Sequence, residues 1–175
     1  LLDGFYPPIL QAPARASCRG GGLATYISRA VCQEGEYENF VPRNMPEPSP
    51  NGEVMFTKIT ICKGIQKSII IGNFYRSPSS NIDAFFERLE ATLAKLSRHK
   101  NKHILLAGDF NVDLIKHDLD FNSQKLIDTM SDHGFIQTIS RPTRITDHSA
   151  TLIDHVYTNS LHKITKTSVI TVVLG

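Results

Sequence analysis

Lys102 to Asp113 reads KHILLAGDFNVD, and the fold depends on how that stretch is taken. Ile104-Leu105-Leu106-Ala107 is an unbroken apolar run between polar flanks, the pattern of a strand buried on both faces. Gly108 interrupts it, and Asp109 and Asn111 follow two residues apart. At a strand's end that spacing sends both side chains to one side and turns Phe110 the other way to pack. A carboxylate and an amide then stand together at the lip of a buried sheet. One can accept a proton while the other donates hydrogen bonds, which suits the handling of water and a phosphate.

Upstream, Ile82, Phe85, Phe86, Leu89, Leu93 and Leu96 recur at helical spacing, with Ser80 and Asp83 as a capping pair. Arg98, His99 and Lys100 crowd the helix's far end, where positive charge suits the dipole; a nucleic-acid contact is one reading of the cluster, and a solvated terminus, the favoured one, explains it as well. Two strands precede that helix, Val54 to Ile61 and Ser68 to Tyr75. The short link Lys63-Gly64-Ile65-Gln66-Lys67 makes them a hairpin. Downstream, a second helix is expected from Ser123 to about His133. Asn122 would cap it, Phe121 and Leu126 would staple it, and Gly134 would stop it. Ala150 to Tyr157 and Thr167 to Leu174 are further strand candidates.

The N-terminal part is less regular. Pro7, Pro8 and Pro13 break Leu1 to Pro13 into irregular chain or a short edge strand. Arg19-Gly20-Gly21-Gly22 leads into a strand from Leu23 to Ser28. No Gly-Lys-Ser/Thr follows the glycines, so they read as a flexible turn and not as a phosphate cradle. Pro42, Pro46, Pro48 and Pro50 mark Val41 to Gly52 as a surface loop. Runs of strands with helices inserted between them point to α/β layers and not to an alternating barrel.

With 175 residues, 41% of them hydrophobic, the chain fits one globular domain, able to bury roughly 70% of its unfolded surface. A net charge of +2 and a pI near 8.5 permit a nucleic-acid partner without demanding one. Cys18, Cys32 and Cys62 are odd in number and lack CxxC spacing, which favours reduced thiols and an intracellular setting. No apolar run approaches the roughly 18 residues of a membrane span, and no signal-peptide pattern opens the chain. The first residue is not methionine and the last follows a strand-like run, so the sequence reads as cut from something longer.

Four short pieces carry the chemistry: Phe74-Tyr75-Arg76-Ser77-Pro78, Gly108-Asp109-Phe110-Asn111, Arg141-Pro142-Thr143-Arg144, and Leu152-Ile153-Asp154-His155-Val156-Tyr157-Thr158-Asn159. An isolated Asp-x-Asn is common in turns. In this order and spacing the four together resemble the endonuclease/exonuclease/phosphatase superfamily, most closely the endonuclease domains of non-LTR (LINE-type) retrotransposons. The resemblance runs from about Arg19 to the C-terminus.

It implies a four-layered α/β sandwich, two packed mixed β-sheets flanked by helices, in a single domain over residues 1–175. It also implies a DNA-nicking phosphodiesterase that uses Mg²⁺ and in-line attack of water, in the nucleus. The DNA partner would be joined by a reverse transcriptase domain on the same full-length chain. By that resemblance Asp109 orients or deprotonates the water, and Asn111 holds the water or a phosphate oxygen. Tyr75 bonds the scissile phosphate, and Asp154 matches the carboxylate that orients the family's catalytic histidine. Arg76 and Arg144 would reach the DNA backbone, with surface salt links as the equal alternative for both.

His155 directly follows Asp154, so on a strand the two point to opposite faces, and His155 reads as a packing or surface residue. His103, His117, His133, His148 and His162 lack zinc-ligand spacing. The family's early asparagine and metal-binding glutamate have no counterpart in Leu1 to Ser17, and its terminal Ser-Asp-His segment is not matched. Truncation at both ends and weak metal affinity follow as expectations, with an inactive fragment as one outcome of them. The alternatives are a phosphatase or phosphodiesterase of the same fold, and a non-catalytic relic that binds nucleic acid or protein.

Overall fold

The computed structural model describes residues 2–13, 21–47, 49–61, 67–99 and 101–170. Cys18, Arg19, Gly20, Pro48, the 62–66 link with Cys62, Lys100 and the last part of the Thr167 to Leu174 candidate lie outside them. Ten strands and two helices follow in chain order. They are β1 (Ile9–Gln11), β2 (Leu23–Thr25), β3 (Tyr37–Asn39), β4 (Glu53–Ile61), β5 (Lys67–Tyr75), α1 (Ile82–Leu96), β6 (His103–Asp109), α2 (Phe121–Asp132), β7 (Ile136–Gln137), β8 (Arg144–Thr146), β9 (Ser149–Thr151) and β10 (Asp154–Thr158). A six-stranded mixed sheet in the order β3-β4-β5-β6-β10-β7 forms the centre. Only β5 and β6 run parallel, and α1 is the crossover that a parallel pair requires. None of the helices described is long and apolar enough to cross a membrane.

Period-two burial assigns the two faces of the sheet. Phe56, Ile70, Phe74, Ile104, Leu106 and Tyr157 point to one side and meet Phe85, Leu89 and Leu93 of α1 and Leu126 and Met130 of α2. Phe110 is the centre of this core, stacked on Phe74 at 5.2 Å and edge-on to Tyr157 at 5.9 Å. The opposite face carries a smaller cluster, Ile59 and Ile71 against Tyr6, Ile27 and Cys32. The chain is thus the α/β sandwich that the motifs imply. Among the described residues the layer opposite the helices is the N-terminal segment with its β1–β2 ribbon, which packs on β4 and β5. Leu105 and Ala107 are consequently half-buried, not enclosed on both faces, because that ribbon does not extend over β6.

Local details depart from expectation where polar side chains had two options. The cap of α1 is Asn81, whose side chain accepts from Ala84 N at 2.9 Å. Ser80 is drawn away, donating to Ser77 O and accepting from Arg76. Asp120, not Asn122, caps α2 by accepting from Ser123 N and Oγ at 2.8 and 2.7 Å, and those bonds hold its carboxyl below the usual range. That cap makes Phe121 the first helical residue and leaves its ring 76% exposed, so no staple to Leu126 forms. The expected strand from Ala150 to Tyr157 is two strands with a bend at Leu152-Ile153. The bend exists because Leu152 and Ile153 carbonyls accept from Leu114 N and Phe110 N, fastening the chain that follows β6. Residues 167–170 are irregular and not strand.

His155 is the packing residue its position suggested. It is 1% exposed, edge-on to Phe110, with Nε2 on Val112 O at 2.9 Å and Nδ1 on Gln137 Nε2 at 3.1 Å. Burial lowers its pKa to about 4. A histidine buried neutral with a folded value below its unfolded one leaves stability intact above about pH 6.5. Stability then falls as the unfolded chain takes up the proton, until about pH 4. The loss should approach about 3 kcal/mol. Urea midpoints across that window should show the slope, and His155→Gln should flatten it.

Candidate active site

One end of the central sheet carries a row of four polar side chains on the face away from the helices. Tyr75 ends β5 and Asp109 ends β6, each opposite the other in the parallel register. Asp154 opens antiparallel β10 directly opposite Asp109, and Glu53 opens antiparallel β4 directly opposite Tyr75. Because β5 and β6 run parallel between two antiparallel strands, two C-terminal ends and two N-terminal ends coincide. With about 4.8 Å between strands the row spans about 14 Å. An open sheet binds ligands beyond the carboxyl ends of its parallel strands, and this row lies there.

Asp109 is half-buried. Desolvation raises its carboxyl above the usual range, and nearby Asp154 pushes the same way. The Asn111 amides and the Arg76 charge oppose them less effectively. Asn111 adopts φ +49°, a left-handed conformation that asparagine tolerates better than most residues. That turn brings its backbone N to Asp109 Oδ1 at 3.0 Å and its side-chain Nδ2 to Arg76 O at 2.7 Å. Asn111 therefore aims and restrains the carboxylate beside it. The four sequence-predicted residues Tyr75, Asp109, Asn111 and Asp154 are brought together at this lip.

Arg76 is different from the expected DNA contact. It is 6% exposed, and Nε and Nη2 donate to Phe110 O and Asn111 O at 2.7 and 2.6 Å. The guanidinium faces inward because the turn at 110–111 leaves those carbonyls without strand partners, and a planar fork satisfies both. Arg76→Lys keeps the charge but loses the fork. We expect it to reduce the unfolding free energy by about 2 kcal/mol. An unchanged urea midpoint would return Arg76 to a surface role. Arg144 is exposed on β8.

Two further residues escaped the sequence reading. Glu53 is 6% exposed and accepts from Gly22 N at 2.7 Å, so the glycine turn before β2 takes the protein's own carboxylate. The expected strand stopped at Val54, one residue short of Glu53, and only the observed register, with Ile61 opposite Lys67, sets Glu53 opposite Tyr75. Thr143 Oγ1 accepts from Asp154 N at 3.2 Å, and Thr143 N donates to Thr151 O. The Arg141-Pro142-Thr143-Arg144 piece thereby holds Asp154 in place through its threonine.

No group of three His, Cys, Asp or Glu among the described residues is placed to hold a metal. The row does offer the Asp109–Asp154 pair, abreast on neighbouring strands, whose mutual repulsion a cation would relieve. Mg²⁺ takes one or two carboxylates and completes its shell with water and substrate phosphate, so this donor set fits it.

Comparison with known proteins agrees with the motifs. The model of the Endonuclease/Exonuclease/phosphatase family matches residues 1–175. No curated protein sequence matches the chain. Among solved structures, the endonuclease domain of TRAS1, a telomere-specific non-LTR retrotransposon, superposes with a TM-score of 0.58 at 13% identity, covering 89% of this chain and 66% of that one. An endonuclease/exonuclease/phosphatase family protein from Bacteroides thetaiotaomicron gives 0.58 at 14%, covering 89% and 61%. A mannosyl-6-phosphatase from the same species gives 0.55 at 13%, covering 90% and 63%. At such identities the likeness is one of fold, and the chain spans 61–66% of the length of these structures.

Proposed function

Because this chain belongs to the endonuclease/exonuclease/phosphatase family, we propose that it is the DNA-nicking phosphodiesterase domain of a retrotransposon-type polyprotein. The observation that carries this reading is the alignment of Tyr75, Asp109 and Asp154 on one face of three adjacent strands, with Asn111 bonded to Asp109. Asp109, whose carboxyl burial raises above its usual range, is the base that takes a proton from the attacking water. Asn111 keeps that carboxylate pointed out of the sheet, and its own conformation is held by Arg76. Tyr75, next to Asp109 in the row, donates its hydroxyl to the scissile phosphate. Asp154, beside that base, is the residue to hold Mg²⁺, which when bound would offset the charge growing on the phosphate. The nick would leave a 3′ end for a reverse transcriptase on the same full-length chain, acting in the nucleus.

The same fold serves a phosphatase, so the substrate decides. Supercoiled plasmid and a soluble phosphomonoester should be offered in parallel with Mg²⁺. The expected result is accumulation of open-circular plasmid with little phosphate released from the monoester. Phosphate release without nicking would make the chain a phosphatase, and plasmid retention without nicking would make it a binding relic.

A further inference from the structure

We propose that the cavity walled by Arg141 and Lys166 is a second phosphate subsite, which takes the nucleic-acid backbone beside the linkage being cut. This rests on the nuclease reading. The cavity has a volume of about 350 Å³ and lies between the 138–141 and 166–169 segments. The two walls are tied by Thr167 Oγ1, which donates to Thr138 O at 2.6 Å. Ser140, Ser168 and the two cations line it together with Thr138 and Thr167, whose hydroxyls are spent on Val156 O and Thr138 O, and no carboxylate does. Neither Arg141 nor Lys166 has an acidic partner among the described residues. Two cations with no counter-ion beside the serines Ser140 and Ser168 form a receptor for a phosphodiester: positive charge to attract it, and donors for its oxygens.

Its place in the fold links it to the row. Thr138 N and Oγ1 both donate to Val156 O, at 2.8 and 2.9 Å, and Asp154 lies two residues along β10, about 7 Å away. The same segment continues through Arg141 to Thr143, which bonds the Asp154 backbone. A strand of nucleic acid crossing the row can therefore lay a neighbouring phosphate on the cavity without leaving the surface. Charge is biased the same way. Arg141, Arg144, Lys163 and Lys166 face only Asp147 and Asp154 in residues 138–170. A further cavity, about 180 Å³, has Phe40, Val41, Pro42, Met45 and Glu47 in its lining, and the Arg88 that also lines it is spent on the Gly52, Glu47 and Pro46 carbonyls.

The test is anisotropy of a labelled DNA duplex with the whole chain, without Mg²⁺, over a range of salt. Arg141→Gln/Lys166→Gln should weaken binding about tenfold and reduce the salt slope by about 2. Hydrolysis of a small phosphodiester with Mg²⁺ should not change. The control Lys95→Gln/Arg98→Gln, at the far end of α1, should leave affinity and slope as they were. Duplex binding by the parent with the same slope in the double variant would overturn the subsite and leave the nuclease reading standing, as would an equal loss in the control. Inorganic phosphate bound through Arg141 and Lys166, with no duplex bound by the parent, would overturn both.

Discussion

Asparagine at position 109 leaves a protein at least as stable as its parent at neutral pH and about 10²–10⁴-fold slower at cleaving plasmid. The two halves of that outcome have one cause. The Asp109 carboxyl is raised chiefly by desolvation and further by Asp154, while the Asn111 amides and Arg76 pull it down less. A folded value above the unfolded one means the group supports the fold below the ordinary carboxylate range. That support is lost as pH rises through the folded value. At neutral pH the charged, half-buried Asp109 therefore opposes folding, and a neutral amide of the same shape removes the opposition. The stability advantage of Asp109→Asn should shrink in acid, where the parent's carboxyl is protonated too. Melting curves of both proteins at neutral and acid pH, with nicking measured alongside, check the pair. A variant that nicks like its parent would remove Asp109 from the chemistry. One that melts earlier at neutral pH would mean that the bond from Asn111 N outweighs burial.

How much of this was legible depended on whether a residue's role is local. The strand at Ile104–Ala107 follows from an unbroken apolar run, the first helix from apolar periodicity and the second from the capping and stop signals around it. The opposition of Asp154 and His155 was legible too, because adjacent strand residues must face opposite ways. That Asp109 and Asn111 share a lip was readable from their spacing, although not for the reason given. Strand alternation does not reach Asn111, which turns back through a left-handed conformation, with its amides on Asp109 and the Arg76 carbonyl. Arg76 was expected at the surface, on the DNA backbone or in a salt link, and it is buried instead. The stranded carbonyls of residues 110 and 111, lying 34 and 35 residues later, are what claim it. The caps failed for a smaller reason: Ser80, Asn81, Asp120 and Asn122 are all competent, and neighbouring donors chose among them. Asn159, carried by the same motif as Asp154, proves to be a tie at the opposite end of the sheet. Its Oδ1 accepts from Ile104 N and its Nδ2 donates to Lys102 O, both at 2.9 Å. A motif quoted whole thus mixes chemistry with carpentry, and only the sheet register separates them.

Gly108→Ala should abolish soluble folded protein. Gly108 has φ +148°, and a Cβ built there would stand 1.9 Å from Phe74 O and 2.7 Å from Phe74 C. These are backbone atoms of the neighbouring parallel strand, so no side chain can rotate aside to relieve the overlap. Either β5 and β6 separate or the backbone at 108 is refolded, and both disturb Phe110, which stacks on Phe74 at the centre of the core. Disruption of this kind belongs with the largest single-residue effects, about 4 kcal/mol or more. That consumes much of the roughly 5–15 kcal/mol that holds a domain folded. Gly134→Ala is the internal control: φ is positive there as well, at +76°, but nothing lies within 4 Å of the added carbon. It should cost only about 1 kcal/mol, from the left-handed conformation alone. Expression yield and urea midpoints of the two variants separate strain in the chain from collision between strands. If both shift alike, the close approach of Gly108 to Phe74 is not what the fold requires. If only Gly108→Ala fails, the glycine is what allows β6 to press against β5 closely enough for Asp109 to stand beside Tyr75. The third letter back from Asn111 would then be as necessary to the site as the two residues that act in it.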